Sequence, residues 1–526
     1  MTERPLPAAL FVVAVVALLA TGGMVFSGAV TTGISSDEPT HVKRLTNFQE
    51  TGKYALSREI VEVRGGMPDR AYVYSPATAL LQHEANRLAG NDDGRVSRTT
   101  ASYLVRHLVI AAIGLAGLVA AGALAALLLG SWRWGVVAAA ALAAIPMWTG
   151  HSMFNPKDIS VASGHTLVTL SLAVLTLSRT RASWRWPVIS AVTLAAGTVL
   201  MVGTRPAMWV SLAASVLILI LGLAWSRMLS IRSVAAVGAG LAASYAALLA
   251  IYPRVFSDPV TAFMKSALVS SDFERQRMVS DRSYVFVHTA AEWPVLLLAA
   301  MVAGTLAAAL LALRSLRART PEAVGLLLVA SQAFGLVAVA VVRDSNLYNG
   351  LRQLLFAIPT QAVLATVGLA VLLAAARSRR ARVIATSLAC LALALPVAAQ
   401  AAMFPYQYAT LNAAADVLGV QSDTDYWDTS FRALEPHVSS DVKALCPHFP
   451  EHEFWVRSRA DCRVKIGGTL NPFWIDSERP ALDDPKAREF NALARGTLRA
   501  PDYCETTHRI MRWRNFERIT IGRVVH

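Results

Sequence analysis

The chain has 526 residues, of which 55% are hydrophobic and only 16% are charged, and its mean hydropathy is +0.45. This composition excludes an ordinary water-soluble globular protein and predicts a polytopic α-helical membrane protein. The formal net charge of +14 does not indicate a nucleic-acid partner. Much of the excess lies in short loops that meet anionic lipid, and no basic segment is interleaved with aromatic residues.

About eleven apolar stretches are long enough to cross a hydrocarbon core of about 30 Å. Arginine clusters such as Arg179–Arg185 and Arg377–Arg382 mark alternate short connections, and the positive-inside rule places these in the cytoplasm. The N-terminus is then inside and the C-terminus outside. The first stretch exceeds the roughly 7–15 apolar residues of a signal-peptide core, so we expect a retained anchor. The stretches are centred near Val16, Leu115, Ala140, Leu167, Leu194, Leu217, Ala242, Met301, Leu328, Leu364 and Leu391.

An acidic pair, Asp37 and Glu38, follows the first stretch almost at once. Ionisable residues at the mouth of a span are costly to place and usually functional. A carboxylate here could deprotonate an acceptor hydroxyl or help to hold a divalent cation. The same residues also suit a helix start, with Pro39 in the first turn. His41 lies one helical turn after Asp37 and shares its face, although an ordinary surface histidine explains it equally well.

Two segments are too polar to lie in the membrane, the loop 31–103 and the tail 404–526. Within the loop, 38–54 and 80–88 carry apolar residues at near-helical spacing, which predicts amphipathic helices on the outer leaflet. The tail predicts a small extracytoplasmic domain of mixed α and β structure. We therefore expect a transmembrane module over 1–403 and a C-terminal domain over 404–526. The outer compartment permits disulfides, but the sequence does not choose among Cys446, Cys462 and Cys504.

A second cluster, His151–Asp158, fills a short outer loop before another apolar stretch. Lys157 beside Asp158 suits binding a lipid phosphate and positioning an acceptor, although a snorkelling lysine and a helix cap are the simpler alternatives. Arg205 and Arg352 lie in other outer loops, where the positive-inside rule makes arginine uncommon. A guanidinium binds phosphate through a bidentate fork, and interfacial anchoring is the alternative.

Aromatic residues accompany polar ones in the later outer segments. Tyr348 precedes Arg352, Tyr406 opens the tail, and Tyr426 with Trp427 follows within a run of carboxylates. Aromatics beside carboxylates commonly bind sugars, but they also form small cores and interfacial belts. We expect these four aromatic residues to contact substrate. The sequence has no P-loop, no dinucleotide-binding glycine motif, no HExxH, no GxSxG and no zinc-type Cys/His spacing.

Taken in order, these pieces resemble the glycosyltransferase C superfamily, and most of all its family 39 branch of protein mannosyltransferases and aminoarabinose transferases. The resemblance runs from near the start of the chain to past residue 427. The matching pieces are Asp37-Glu38-Pro39-Thr40-His41, Thr51-Gly52-Lys53-Tyr54, Phe154-Asn155-Pro156-Lys157-Asp158, Tyr348-Asn349-Gly350-Leu351-Arg352, Pro405-Tyr406-Gln407-Tyr408 and Asp425-Tyr426-Trp427.

The resemblance implies a GT-C-like fold that takes a sugar from a polyprenyl-phosphate donor in the inner (plasma) membrane. Transfer would occur on the extracytoplasmic face, to a protein, lipid or polysaccharide acceptor. It implies Asp37 as the general base, with Glu38 and Asp158 as further catalytic carboxylates. A divalent metal, Mg²⁺ or Mn²⁺, stays open, and Asp37 and Asp158 would hold it. The groups expected to hold the donor are Lys157, Arg205 and Arg352, with His41 beside them.

The chain departs from the family pattern at Gln353, where a histidine is expected, and in the outer loop 252–293, which bears on acceptor specificity. We predict an inverting glycosyltransferase whose sugar, mannose or arabinose, and whose acceptor the sequence does not reveal. A transporter of polyprenyl-linked lipid would use the same basic groups without chemistry, but related halves are not apparent. A non-catalytic scaffold that binds cell-wall polymer leaves Asp37 and Asp158 unexplained.

Overall fold

The computed structural model describes residues 6–35, 37–56, 74–177, 183–271, 282–420, 425–427, 429–430, 432–433, 464–466, 490–493, 506–515 and 517–525. The cysteines Cys446, Cys462 and Cys504 lie outside the described residues, as does most of the tail between 434 and 505. Part of the loop expected to set acceptor specificity, 272–281, also lies outside them.

Helices dominate the described residues, and strands occur only in the last part of the chain. The helices are α1 Ala8–Thr31, α2 Glu38–Thr51, α3 Ala77–Leu88, α4 Thr100–Leu129, α5 Trp132–Ala143, α6 Pro146–His151, α7 Asp158–Leu177, α8 Arg185–Val202, α9 Trp209–Trp225 after a 3₁₀ turn Pro206–Met208, α10 Ile231–Ile251, α11 Pro253–Phe256, α12 Pro259–Ser271, α13 Tyr284–Glu292, α14 Val295–Ala318, α15 Glu322–Ala330, a π-helical turn Ser331–Gly335, α16 Leu336–Val342, a 3₁₀ helix Gly350–Ala357, α17 Ile358–Ala375, α18 Arg379–Met403, a 3₁₀ turn Gln407–Ala409 and α19 Ala414–Val417.

Four strands follow, β1 Val464–Ile466, β2 Phe490–Leu493, β3 Thr506–Arg514 and β4 Glu517–Val525. They form one sheet in the order β1-β2-β4-β3, in which β1 pairs with β2 in parallel and the other pairs are antiparallel. Arg512 of β3 donates a hydrogen bond from Nε to the Phe404 carbonyl oxygen at 2.7 Å, which ties the sheet to the end of α18.

The prediction of a polytopic helical membrane protein is confirmed. In the described part of the chain, ten helices or continuous helical runs are long and apolar enough to cross a membrane. The prediction named about eleven, and the difference lies in the third stretch. There α5 has only 12 residues, about 18 Å at 1.5 Å per residue, which is too short to cross about 30 Å alone.

The third stretch nevertheless passes through the bundle, as two helices instead of one. Trp132 at its start packs edge-to-face on Phe11 near the start of α1, with ring centroids 5.4 Å apart. Met153 beyond its end accepts a weak hydrogen bond from Thr32, just past the end of α1. Pro146 begins α6 because proline cannot continue a helix but suits the first turn of a new one.

The break between α5 and α6 leaves polar backbone groups at membrane depth, where they require partners inside the protein. The Ala143 carbonyl oxygen accepts hydrogen bonds from Thr149 Oγ1 at 2.8 Å and from Gln400 Nε2 at 3.1 Å. Gln400 lies in α18 and is fully buried. The broken crossing is therefore stabilised by a side chain from a distant helix.

The two helices predicted in the first loop are present. Helix α2 ends at Gly52, whose φ of 70° is a left-handed conformation that glycine adopts without strain. Helix α3 follows a described segment that begins at Tyr74. Gln49 Nε2 of α2 lies 2.8 Å from His83 Nε2 of α3, so the two helices pack together. Their placement on a leaflet stays a prediction.

Close helix contacts hold α7 against α8, and glycines make this approach possible. A Cβ at Gly197 would lie 2.7 Å from the Gly164 carbonyl oxygen, and one at Gly164 would lie 2.7 Å from the Met201 nitrogen. Backbone atoms cannot rotate away as a side chain can. Small residues let membrane helices approach in this way, and this contact fixes the two helices that lead to Asp158 and Arg205.

We predict that Gly197→Ala lowers the melting temperature in detergent, because overpacking against backbone typically destabilises by about 1–3 kcal/mol. Gly238→Ala in α10 is the matched control, since a Cβ there meets nothing within 4 Å. Equal melting temperatures for the two variants would contradict close packing of α7 on α8.

Candidate functional site

The predicted carboxylate of the first loop and the predicted lysine of the loop before α7 form an ion pair. Lys157 Nζ donates a hydrogen bond to Asp37 Oδ2 at 2.6 Å, and the two side chains are 12% and 34% exposed. Burial by itself would raise the pKa of Asp37, but the charges of Lys157 and Arg352 outweigh it and hold that pKa well below its usual value. The pair joins the start of α2 to the start of α7.

Tyr74 lies beside this pair and was not singled out in the sequence. Its ring is 5.4 Å from Lys157 Nζ and 4.9 Å from the guanidinium carbon of Arg44, so two cations face one aromatic ring. The positive charge of Lys157 lowers the pKa of the Tyr74 hydroxyl. His41 packs edge-to-face on the same ring at 6.1 Å. In the sequence, Tyr74 precedes Ser75-Pro76, and these residues match no motif that indicates a functional tyrosine.

Asp158 begins α7 within a hydrogen-bonded turn. Asn155 Oδ1 accepts hydrogen bonds from the backbone nitrogens of Lys157 at 3.1 Å and Asp158 at 3.0 Å, while Asn155 Nδ2 donates to Asp158 Oδ2 at 2.9 Å. Arg205 Nη2 lies 3.4 Å from the other oxygen, Asp158 Oδ1. The same hydrogen bonds therefore cap the helix and position the Asp158 carboxylate. Asn155 is a positioning residue. It belongs to the predicted motif, but the sequence analysis gave it no role.

Arg352 is buried among aromatic rings. Its guanidinium carbon lies 4.5 Å from the Trp427 ring, 4.9 Å from that of Tyr348 and 5.5 Å from that of Tyr426, and the residue is 4% exposed. Three of the four predicted aromatic contacts therefore surround the predicted arginine. The arrangement gives a cation of fixed orientation, because flat rings restrict the guanidinium more than water would.

The start of the 3₁₀ helix that carries Arg352 is held by the carboxylate of Glu292. Glu292 Oε2 accepts a hydrogen bond from the Leu351 nitrogen at 3.1 Å, and its Oε1 lies 2.7 Å from His288 Nδ1. Gly350 has a φ of 65°, and a Cβ there would collide with the Glu292 carboxylate. Glycine is therefore required at this position for two reasons, backbone conformation and space.

A polar network inside the bundle connects the helix of Asp158 to the helix of Arg352. Gln332, in the π-helical turn, donates hydrogen bonds to Thr166 Oγ1 at 3.1 Å and to the Phe356 carbonyl oxygen at 2.9 Å. Its Oε1 accepts a hydrogen bond from Thr169 at 2.6 Å. Because Thr166 and Thr169 belong to α7 and Phe356 to the 3₁₀ helix of Arg352, this network fixes the relative position of the two site elements.

Glu38, the second predicted catalytic carboxylate, has partners elsewhere. Its Oε2 accepts the Ser35 backbone N–H at 2.6 Å, and its Oε1 lies 2.9 Å from His107 Nε2 in α4. The other ring nitrogen, His107 Nδ1, donates to the Ala29 carbonyl oxygen at 2.9 Å. Glu38 is 3% exposed, so both oxygens serve the junction between α1, α2 and α4. These contacts make Glu38 a positioning residue.

Tyr406 lies apart from the Arg352 cluster. It is buried beneath Arg512 of β3, whose guanidinium carbon is 5.3 Å from its ring, and burial raises the pKa of its hydroxyl. Tyr408, which the sequence motif contains, is closer to the site. Its hydroxyl donates to Asp425, and its ring packs on Phe154 at 5.4 Å. Asp425 thereby anchors the segment that contains Trp427.

The structure thus brings together most of the predicted site residues. Asp37 with Lys157 and Asp158 with Arg205 form two ion pairs, and Arg352 lowers the pKa of Asp37 from nearby. Within the described ranges, three or more histidine, cysteine, aspartate or glutamate residues do not cluster as a metal site would require. Asp37 and Asp158 each have a basic partner, and a divalent metal held by these two residues stays a prediction.

The chain is similar to two crystal structures of ArnT from Cupriavidus metallidurans, one in the apo state and one bound to undecaprenyl phosphate. These comparisons cover 97% of both chains, with identities of 14% and 15% and TM-scores of 0.48 and 0.47. The oligosaccharyltransferase of Archaeoglobus fulgidus, in a complex with zinc and sulfate, matches 75% of this chain and 53% of its own, at 16% identity and a TM-score of 0.40. No protein-family model and no curated protein matches the chain.

We predict that Glu38→Ala strongly destabilises the protein, because it leaves His107 buried without its acidic partner. Removing one member of a buried pair typically costs about 3–5 kcal/mol. Glu84→Ala is the matched control, since Glu84 pairs with Arg87 on the surface, where the side chains are 51% and 62% exposed and such a pair contributes at most about 1 kcal/mol. Melting temperatures in detergent compare the two, and an equal loss would contradict a structural role for Glu38.

Proposed function

We propose that this protein is an inverting glycosyltransferase of the glycosyltransferase C type, which uses a polyprenyl-phosphate sugar on the extracytoplasmic face of the membrane. The single observation that carries the proposal is the pair of neighbouring ion pairs, Asp37 with Lys157 and Asp158 with Arg205. Together with Arg352 they combine carboxylates with three cations where several spans end. A lipid-linked phosphate and a nucleophilic hydroxyl require this combination.

The donor phosphate would bind to the basic side chains. Lys157 and Arg205 are 12% and 24% exposed and contact carboxylates that a phosphate can compete with. The contact of Arg205 with Asp158 is long, at 3.4 Å, so little is lost when the guanidinium turns to a phosphate. Arg352 is held by aromatic rings and contributes its positive charge from a fixed place. The cations would stabilise the polyprenyl phosphate as it leaves.

Asp37 is the candidate general base, and its resting state is not the reactive one. Its lowered pKa makes it a weak base while Lys157 donates to it. A bound donor phosphate would share the lysine charge, which raises the pKa of Asp37 toward the range in which a carboxylate accepts a proton effectively. Donor binding would thereby activate the base, so that the base gains strength only when a donor is present.

The proposed reaction is a single displacement. The acceptor hydroxyl loses its proton to Asp37, and its oxygen forms a bond to the anomeric carbon of the sugar. The bond from that carbon to the phosphate oxygen breaks, with inversion, and the electron pair leaves with polyprenyl phosphate. Asp158, anchored by Asn155 and Arg205, keeps the local charge balanced while the donor is absent.

The direct test is release of labelled sugar from polyprenyl-phosphate mannose and polyprenyl-phosphate arabinose in detergent. We expect turnover by the wild type and a loss of at least about 100-fold in Asp37→Asn, since general base catalysis contributes about 10²–10⁴-fold. Donor binding should persist in the variant. Tight binding without turnover by the wild type, under all acceptor and metal conditions, would instead favour a transporter.

The coupling between Lys157 and Asp37 gives a pH prediction. In Lys157→Met the nearby positive charge is lost, so the pKa of Asp37 rises and the acidic limb of kcat/KM moves to higher pH by about 1 unit or more. Lys53→Met is the control, because Lys53 is exposed and lies outside the cluster. A lower rate with an unmoved acidic limb would mean that Asp37 is not the titrating base.

A further inference from the structure

A small cavity lies beside the Asp37–Lys157 pair, between α2, the start of α3 and the loop after α8. Its lining includes His41, Tyr74, Ser75, Lys157 and Thr204. Lys157 is thus a wall of the cavity and also the partner of Asp37, so the cavity borders the proposed reaction centre. Most of the lining residues come from segments that are distant in the sequence and were not predicted to meet.

His41 lines this cavity and carries an unsatisfied hydrogen-bond donor. Its Nδ1 lies 3.2 Å from Arg44 Nη1, and because a guanidinium only donates, Nδ1 is the acceptor and the ring proton lies on Nε2. Burial, then the charge of Arg44, lowers the pKa of His41, so the ring is neutral. His41 is 8% exposed, and among the described residues its Nε2 has no hydrogen-bond partner.

Ser75 supplies a second unsatisfied group to the same cavity. It is 3% exposed, and its hydroxyl has no partner among the described residues. Its backbone is fixed, because the Ser75 nitrogen donates to the Thr204 carbonyl oxygen at 3.1 Å. Two buried polar groups that lack partners are costly, at about 1–3 kcal/mol each, and such groups lining one cavity indicate a ligand that completes them.

We propose that this cavity recognises a hydroxyl group of the donor sugar, an inference that rests on the proposed function. A sugar hydroxyl carries an acceptor for the His41 Nε2–H and a donor for Ser75 Oγ, which matches the hydrogen-bonding character of both groups. Both groups are neutral, and the donor phosphate already shares the lysine charge in the proposed function, so the remaining groups suit a neutral oxygen. His41 and Ser75 are therefore specificity-determining residues.

The test measures equilibrium binding of two lipids, polyprenyl-phosphate mannose and polyprenyl phosphate without a sugar, with the arabinose donor as a parallel probe. We expect His41→Phe and Ser75→Ala each to weaken the binding of the sugar-bearing lipid by about tenfold, equivalent to about 1.4 kcal/mol. The affinity for the bare lipid should stay unchanged. His41→Gln retains an N–H at similar reach and should restore most of the affinity.

The outcomes separate the two proposals. If the wild type binds neither lipid, the proposed function fails and this inference fails with it. If the wild type binds both lipids, but His41→Phe and Ser75→Ala reduce the two affinities equally or not at all, only this inference is overturned. A rise in acceptor KM without a change in donor affinity would also overturn it, because the hydroxyl would then belong to the acceptor.

Donors that lack single hydroxyls identify the group that is recognised. For one position, removal of the hydroxyl and His41→Phe should be non-additive, so that the double change costs little more than either alone. Additive losses at every position of the sugar would contradict the proposal. Gel filtration of each variant in detergent checks that the affinity losses do not come from unfolding.

Discussion

The ion pair between Asp37 and Lys157 is the interaction on which the rest of the site depends. Its two residues are 120 positions apart and lie just before α2 and just before α7. The Lys157 side chain is only 12% exposed, so water screens its attraction to Asp37 less than it would screen a fully exposed pair. The pair therefore brings the first loop and the loop before α7 together, and it also sets the resting proton affinity of the candidate base.

Three buried contacts hold the two partners where they can meet. Glu38 fixes the start of α2 against α4 through His107, and Asn155 caps α7 beside Lys157. Gln332 joins α7 to the helix that carries Arg352. Each contact satisfies polar groups that would otherwise be costly inside an apolar bundle. Thus the positioning residues of the site are also structural residues of the membrane module.

The tail contributes to the site as well as to the C-terminal sheet. The Gly33 nitrogen donates to the Thr429 carbonyl oxygen at 3.0 Å, which places the segment after α18 against the end of α1. Asp425 accepts hydrogen bonds from Tyr408 and from the Ser430 nitrogen, and burial raises its pKa. The segment so anchored carries Trp427 onto Arg352. The aromatic surroundings of Arg352 thus combine residues that lie before α17 with others that follow α18.

The sequence by itself determined the class of the protein, the approximate spans and the chemical types in the site. Apolar length sets span number, and carboxylates, lysine and arginine beside span ends stand out because charge is costly there. The sequence did not determine which charges pair, because Asp37 and Lys157 meet only when the turn before α2 and the turn before α7 come together in the fold. Only the tertiary structure showed that Glu38 turns to His107, that Tyr406 lies under the sheet, and that an apolar stretch is divided at Pro146. It also revealed Tyr74 and Ser75, since a neutral residue acquires a role through its neighbours, and neighbours distant in sequence are decided by packing.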